Sequence, residues 1–273
     1  MTAHWTLDSI PWHSFDASKV DPELLKAVKA AAMVEYNAAD YVGYLKAVFA
    51  GDAKAFAAFD QWGIEEVQHG AALARWAEMA DPSFKFEPAF AKFREGYRPP
   101  HFDTGEAARG SRRGEMIARC VVESGTSSYY TAIKDACDEP VLKEIAAKIA
   151  ADEYRHYKLF YEMLDEQPER LSFLKRLQVA ATRVNEAEDD ELAYAYYCGN
   201  TPLDQIGVAP YDRKACVTAY QTRVTRLYRQ RHIEQAMRMI AKSIGAAPNG
   251  LLRRFATWAV WTYLRFQTRG AAA

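Results

Sequence analysis

The stretch IAADEYRHYKLF, residues 149–160, sets Asp152, Glu153, Arg155 and His156 inside what otherwise reads as an apolar-striped helix. At i and i+3, Glu153 and His156 lie one turn apart on a single face, and Ala146, Ile149 and Phe160 share that face. A face destined for burial has no ordinary use for a carboxylate and an imidazole. The spacing recurs in QWGIEEVQHG, residues 61–70, where Glu66 and His69 share a stripe with Phe59, Trp62 and Leu73. Random placement of 20 Glu and 6 His would give roughly 0.4 such pairs.

Two further carboxylates complete the pattern. Glu35 precedes Glu66 by 31 residues and Glu123 precedes Glu153 by 30, with midpoints near 50 and 138 on the turn signals AGD and CDEP. In an antiparallel helical hairpin, residues equidistant from the turn lie at one height, here about 15 residues or roughly 22 Å from it. Each hairpin therefore sets a lone Glu level with an E-x-x-H, and the second hairpin repeats the first at offsets of 88, 87 and 87 residues. Four carboxylates buried together repel one another and are costly to desolvate unless cations neutralise them. Two divalent metals held by Glu35, Glu66, His69, Glu123, Glu153 and His156 meet that need, and this donor set suits iron or manganese better than a thiolate-preferring metal. The alternative is that these are satisfied or solvated helix residues, which the symmetry of the full set argues against.

Around these motifs the chain reads as all-α. Strand-like alternation is missing, and the helix signals place one helix at about 22–49, a second to Ala80, a third at about 115–136 and a fourth to about 165. A long Pro- and Gly-containing connection with room for one short helix joins the second to the third. Hairpin, long crossover, hairpin is the connectivity of a ferritin-like four-helix bundle. EQPER opens a fifth helix, and one or two more are expected after GNTPLDQIGVAPYD. The expected division is a bundle with its N-terminal segment and fifth helix over 1–210, and a basic helical extension over 211–273 packed on it. The extension carries twelve Lys or Arg against two acids, a balance of +10 that leaves −11 for residues 1–210.

Composition bounds the class further. With 49% hydrophobic and 26% charged residues over 273 positions, a sizeable core can form. No signal peptide is legible, and the longest apolar run, FATWAVWTYL at 255–264, is about half a bilayer span, so a cytoplasmic protein is expected. The four cysteines show no CxxC spacing, which argues against a zinc or rubredoxin-type knuckle.

The runs WGIEEVQHG (62–70) and IAADEYRH (149–156) resemble the two metal motifs of soluble acyl-carrier-protein desaturases, W-x-x-E-E-x-x-H-G and I-A-A-D-E-x-R-H. The likeness takes in ESGT (123–126), where that family sets a threonine one turn after its third-helix ligand, and covers roughly 20–165. It implies two iron ions, with a Mn/Fe pair as the alternative. It implies that Glu65 and Asp152 accept the free imidazole N–H of the ligand His on the opposing helix, orienting the ring; otherwise they are ordinary surface acids. Thr126 is the catalytic candidate, as a proton relay to reduced oxygen, while GTSS also reads as a small-residue site for close helix packing. Trp62 reads as core. His4, His13, His101 and His232 have no partner at ligand spacing. The chain is shorter than a plant-type desaturase, and its basic C-terminal region has no counterpart there.

Three activities follow as expectations. The first is O2-dependent desaturation or hydroxylation of a hydrophobic, acyl-type substrate, with Tyr130, Tyr154, Tyr157 and Phe160 as candidate cavity walls. Electrons would come from a ferredoxin or flavoprotein, because the chain has neither a cluster motif nor a Gly-rich nucleotide loop. The second is iron oxidation or peroxide detoxification of the ferritin or rubrerythrin kind, against which the missing cysteine knuckle and the second E-x-x-H histidine weigh. The third is a tRNA-modifying di-iron hydroxylase. The basic tail accordingly has four readings: it docks acyl carrier protein or ferredoxin, binds tRNA, attracts anionic lipid, or packs on its own acidic bundle. A homodimer is expected, and nucleic acid is not the expected partner.

Overall fold

The computed structural model describes residues 4–97, 105–186 and 190–270, with side chains at all of these except 185 and 267–270. The centre of the long connection, 98–104, thus lies outside the described residues. Among the described residues the secondary structure is helical throughout: α1 (Pro22–Tyr36), α2 (Ala38–Val48), α3 (Ala53–Ala80), α4 (Phe86–Gly96), α5 (Arg112–Ala136), α6 (Pro140–Glu166), α7 (Phe173–Asn185), α8 (Asp190–Asn200), α9 (Arg213–Thr225), α10 (Gln230–Ser243) and α11 (Leu251–Gly270). Short 3-10 turns occupy the N-terminal segment before α1. No helix of the described residues is long and apolar enough to cross a membrane.

The helix starts follow from capping chemistry. Asp21 accepts from the Glu23 and Leu24 amides with Pro22 as first helical residue, Asp52 caps α3 and Ser111 caps α5. At α6 the cap is Glu139, which is fully buried and accepts from Leu142 N (2.7 Å), Trp76 Nε1 (2.7 Å) and Asp16 N (3.1 Å). Because Trp76 lies on α3, this cap also fastens α3 to the start of α6.

Two hairpins emerge, α1/α2 with α3 and α5 with α6, packed together through α3 and α6. Their turns, Phe49–Asp52 and Cys137–Glu139, fall where the midpoints of the carboxylate spacing put them. The close approach of α1 to α3 needs Gly70. A Cβ there would lie 2.5 Å from Tyr36 N and 2.8 Å from Ala32 O, and backbone atoms cannot step aside. Gly70→Ala should therefore lower stability by about 1–3 kcal/mol, against which the gain in helix propensity of about 1 kcal/mol is the smaller effect. A urea titration that finds the variant as stable as the parent would refute the tight contact.

Three expectations about the helices need correction. The continuous helix over 22–49 is broken at Asn37 (φ −81°, ψ 13°). The buried Asn37 amide donates to Glu191 Oε1 at 2.9 Å and its carbonyl oxygen accepts from Arg94, so partners on α8 and α4 hold the kink. Among the described residues there are two helices between the fourth helix and residue 200, α7 and α8, and three beyond residue 210, α9 to α11.

The C-terminal helices lie against the hairpins. α9 packs on α8 and α1, α10 on α5, and α11 on α10 and α9. Several of the basic residues meet bundle acids: Arg223 with Glu23 (2.7 Å), Arg226 with Asp21 (2.7 Å) and Arg231 with Asp135 (2.6 Å). Asp135 also accepts from the buried His232 at 2.9 Å, and Tyr157 Oη donates to Met239 O at 2.9 Å, so α10 is pinned on both α5 and α6.

Candidate metal centre

Glu35 from α1, Glu66 and His69 from α3, Glu123 from α5, and Glu153 and His156 from α6 meet in the interior, each less than a tenth exposed. They form two overlapping groups, Glu35–Glu66–His69–Glu153 and Glu66–Glu123–Glu153–His156, each with donor atoms within 4.8 Å of one another and able to hold a metal ion. Glu66 and Glu153 belong to both groups. His69 Nδ1 lies 3.2 Å from Glu153 Oε1 and 3.6 Å from Glu35 Oε2; His156 Nδ1 lies 3.1 Å from Glu66 Oε1 and 3.8 Å from Glu123 Oε2.

Whether these residues fit metal ions can be tested on their polar atoms. Buried polar atoms are almost always hydrogen-bonded. Yet Glu66 Oε1, His69 Nδ1, Glu123 Oε1, Glu153 Oε1 and His156 Nδ1 are buried without a hydrogen-bond partner. All five residues belong to the two groups, and four of these atoms face one another in pairs, His69 Nδ1 with Glu153 Oε1 and His156 Nδ1 with Glu66 Oε1. The far side of each ring is satisfied: His69 Nε2 is 3.0 Å from Asp152 Oδ2, and His156 Nε2 is 2.8 Å from Glu65 Oε2. A carboxylate can only accept here, so each Nε2 carries a proton, and Nδ1 is the atom left to meet a metal ion once any proton on it is displaced. The residues fit.

Glu65 and Asp152 are held in turn. Arg155 bridges them, with Nη1 2.6 Å from Asp152 and Nη2 3.5 Å from Glu65. Burial pushes the Glu65 carboxyl up, but hydrogen bonds from His156 and Gln61 outweigh it and hold the group at about 2. Asp152 is likewise held well below the usual carboxylate range, against its burial, by His69, Trp5 and Arg155.

The N-terminal segment adds residues with no spacing signal in the sequence. Trp5 Nε1 donates to Asp152 Oδ2 at 2.7 Å, and its ring stacks on His69 at 6.0 Å and 4°. His4 Nε2 lies 2.9 Å from the same oxygen. His4 therefore has a partner after all, one made by the fold 148 residues away. His232 has one in Asp135, with a structural role.

Thr126 Oγ1 donates to Glu153 Oε2, and Tyr130 Oη donates to Glu35 Oε1. The neighbouring serines serve packing, with Ser127 Oγ donating to Ala150 O on α6 at 3.1 Å. Gly125 is not a close-packing site, since a Cβ there would meet nothing within 4 Å. Trp62 packs edge-on against Phe160 at 5.5 Å in the core.

A predominantly apolar cavity of about 490 Å3 opens beside the cluster. Glu35, Glu66, Glu123, Glu153 and Thr126 form one wall, and its far walls come from α9, α10 and α11, through residues such as Val224, Ile240, Val260 and Leu264. Of the four aromatic residues expected to form its walls, Tyr130 lines it. Phe160 is in the core, Tyr157 bonds to α10, and Tyr154 is 45% exposed. The basic extension thus supplies the far side of the cavity, and the two hairpins with α7 and α8 supply the rest.

Without a cation the cluster is electrostatically unbalanced. Burial and the Glu153 charge push Glu66 and Glu123 well up. Burial alone would lower His69 and His156, but their carboxylate partners raise both. Groups whose folded values are raised keep protons that free groups would have released, and a metal ion must displace them. Metal affinity should therefore fall as pH is lowered from mildly alkaline to mildly acidic, by more than about tenfold per pH unit because more than one proton is displaced. Chelator competition at several pH values measures this, and a flat profile would contradict it.

No protein-family model matches the chain, and no curated protein matches it.

Proposed function

We propose that this protein is a ferritin-like two-metal oxidoreductase that uses O2 to desaturate or hydroxylate a hydrophobic, acyl-type substrate. The observation that carries the reading is the pair of buried groups sharing Glu66 and Glu153, with unpartnered donor atoms, on the wall of an apolar cavity. Glu35 and His69 would hold one ion, Glu123 and His156 the other, and Glu66 and Glu153 would serve both. Two iron ions, or a manganese and an iron, would supply the redox capacity and Lewis acidity for reducing O2 and oxidising an unactivated C–H bond.

The chain's own contributions are positional. Asp152 and Glu65 hold each imidazole in the tautomer that turns Nδ1 inward. Thr126 holds a hydroxyl proton at Glu153 Oε2 on the cavity wall, placed to relay a proton to reduced oxygen. The apolar walls exclude water from the reacting carbon and favour a hydrocarbon chain over a charged substrate. Electrons would come from a ferredoxin or flavoprotein. The cavity favours this reading over iron storage or peroxide removal, neither of which needs an apolar chamber. The pairing of Arg223, Arg226 and Arg231 with bundle acids leaves fewer cations for tRNA phosphates.

Metal analysis with Mössbauer and optical spectroscopy, after O2 is added to the ferrous protein, tests this. Close to two metals per chain and an O2-dependent change are expected; a chain that loads none refutes the reading. Thr126→Ala should load metal as the parent does and slow only the oxygen-dependent step, by about 10- to 1,000-fold. Loss of loading in that variant would show that Thr126 holds Glu153 rather than a proton.

A further inference from the structure

Helix α11 has two apolar faces: one lines the cavity, and the other is exposed among the described residues. Val260 and Leu264 point inward and line the cavity, with Thr257 buried beside them. On the opposite side Leu251 (80% exposed), Phe255 (65%), Trp258 (62%) and Phe266 (67%) face solvent, joined by Leu252 and Tyr263. At 100° per residue these six fall in one stripe along the helix, with exposed Arg254 and Arg265 on one edge of it. The helix contains no Asp or Glu. Monomeric soluble proteins scatter exposed apolar residues singly, and a contiguous row of this kind marks an interaction surface.

We infer that the outer face of α11 docks on anionic lipid, lying in the plane of a membrane surface. Large aromatic and aliphatic side chains on one face, arginines at its edge and no acidic residue are the chemistry of an interfacial amphipathic helix, and the charge is complementary to an anionic headgroup layer. Position adds to composition. The inner face of the same helix walls an apolar cavity, so docking sets that wall directly against the acyl layer. The inference is independent of the metal reading, because the outer face of α11 carries none of the six residues of the cluster and binding can be measured on metal-free protein.

The test is co-sedimentation of the full chain with vesicles of phosphatidylcholine mixed with phosphatidylglycerol, against phosphatidylcholine alone, at low and high salt. Sedimentation velocity without lipid runs alongside. Binding to the mixed vesicles is expected, weakened by salt and by omitting phosphatidylglycerol. The double variant W258S/F266S should lose at least about tenfold in affinity, and R254Q about fivefold on anionic vesicles alone. Absence of binding to the mixed vesicles overturns the inference. So does equal binding by W258S/F266S, or a lipid-free dimer that W258S/F266S dissociates, which would show that a second copy covers the face. Should W258S/F266S lose helicity by circular dichroism, R254Q decides, and unchanged affinity in that variant counts against the inference.

Discussion

Glu66→Ala and Glu153→Ala are each expected to abolish loading of both metals, whereas Glu35→Ala and Glu123→Ala should each leave one. The sequence motif treats the six residues as equivalents, but only Glu66 and Glu153 stand in both groups. Removing either strips a donor from both positions and also the negative charge that draws the second ion. A chain saturated at about 100 times the dissociation constant gains about 2.7 kcal/mol per site, worth roughly 5–10 °C in unfolding temperature for a chain of this size. That gain should vanish in the Glu66 and Glu153 variants and persist in part in the other two. The metal-free proteins should shift the opposite way. Deleting one of four mutually repelling buried carboxylates relieves a cost that Glu66 and Glu123 otherwise meet by holding protons. Metal content and calorimetry together read both effects. One metal retained by Glu153→Ala would mean that the two positions do not share it.

The legible part of this architecture was the part written in local periodicity. Glu66, His69, Glu153 and His156 carry their spacing within single helices, and Glu35 and Glu123 could be placed because a hairpin relates positions about its turn by simple counting. Those rules use only helix rise and turn signals, and the six side chains do come together. What stayed illegible depends on contacts between distant segments. Asn37 breaks a helix whose propensity runs on, because Glu191 binds its side chain 154 residues away. His4 and Trp5 reach Asp152 from a segment with no helical period to place them. The C-terminal helices were expected to pack on the bundle, but their net charge describes only their surface. Val224, Ile240, Val260 and Leu264 are apolar at ordinary helical spacing, and nothing local distinguishes a cavity wall from a packed core.

The cavity yields the second large effect. Gly125 sits between Glu123 and Thr126, lines the cavity, and has open space where a Cβ would stand. Gly125→Leu would fill the chamber beside the cluster without meeting a neighbour at its first carbon, and it replaces a poor helix former by a good one, a gain of about 0.8–1.0 kcal/mol. Stability should hold or rise and metal loading should be unchanged. Uptake of an apolar fluorophore such as diphenylhexatriene should fall by about 10- to 100-fold, the equivalent of overfilling a packed interior, and oxidation of any hydrophobic substrate should fall with it. Gly43→Leu supplies the control. That position on α2 is exposed, also has nothing within 4 Å of a Cβ, and does not line the cavity, so it gains the same helix propensity and should bind fluorophore as the parent does. Equal uptake by Gly125→Leu and Gly43→Leu would mean that apolar ligands bind elsewhere on the molecule, and would detach the cavity from the chemistry assigned to the cluster beside it.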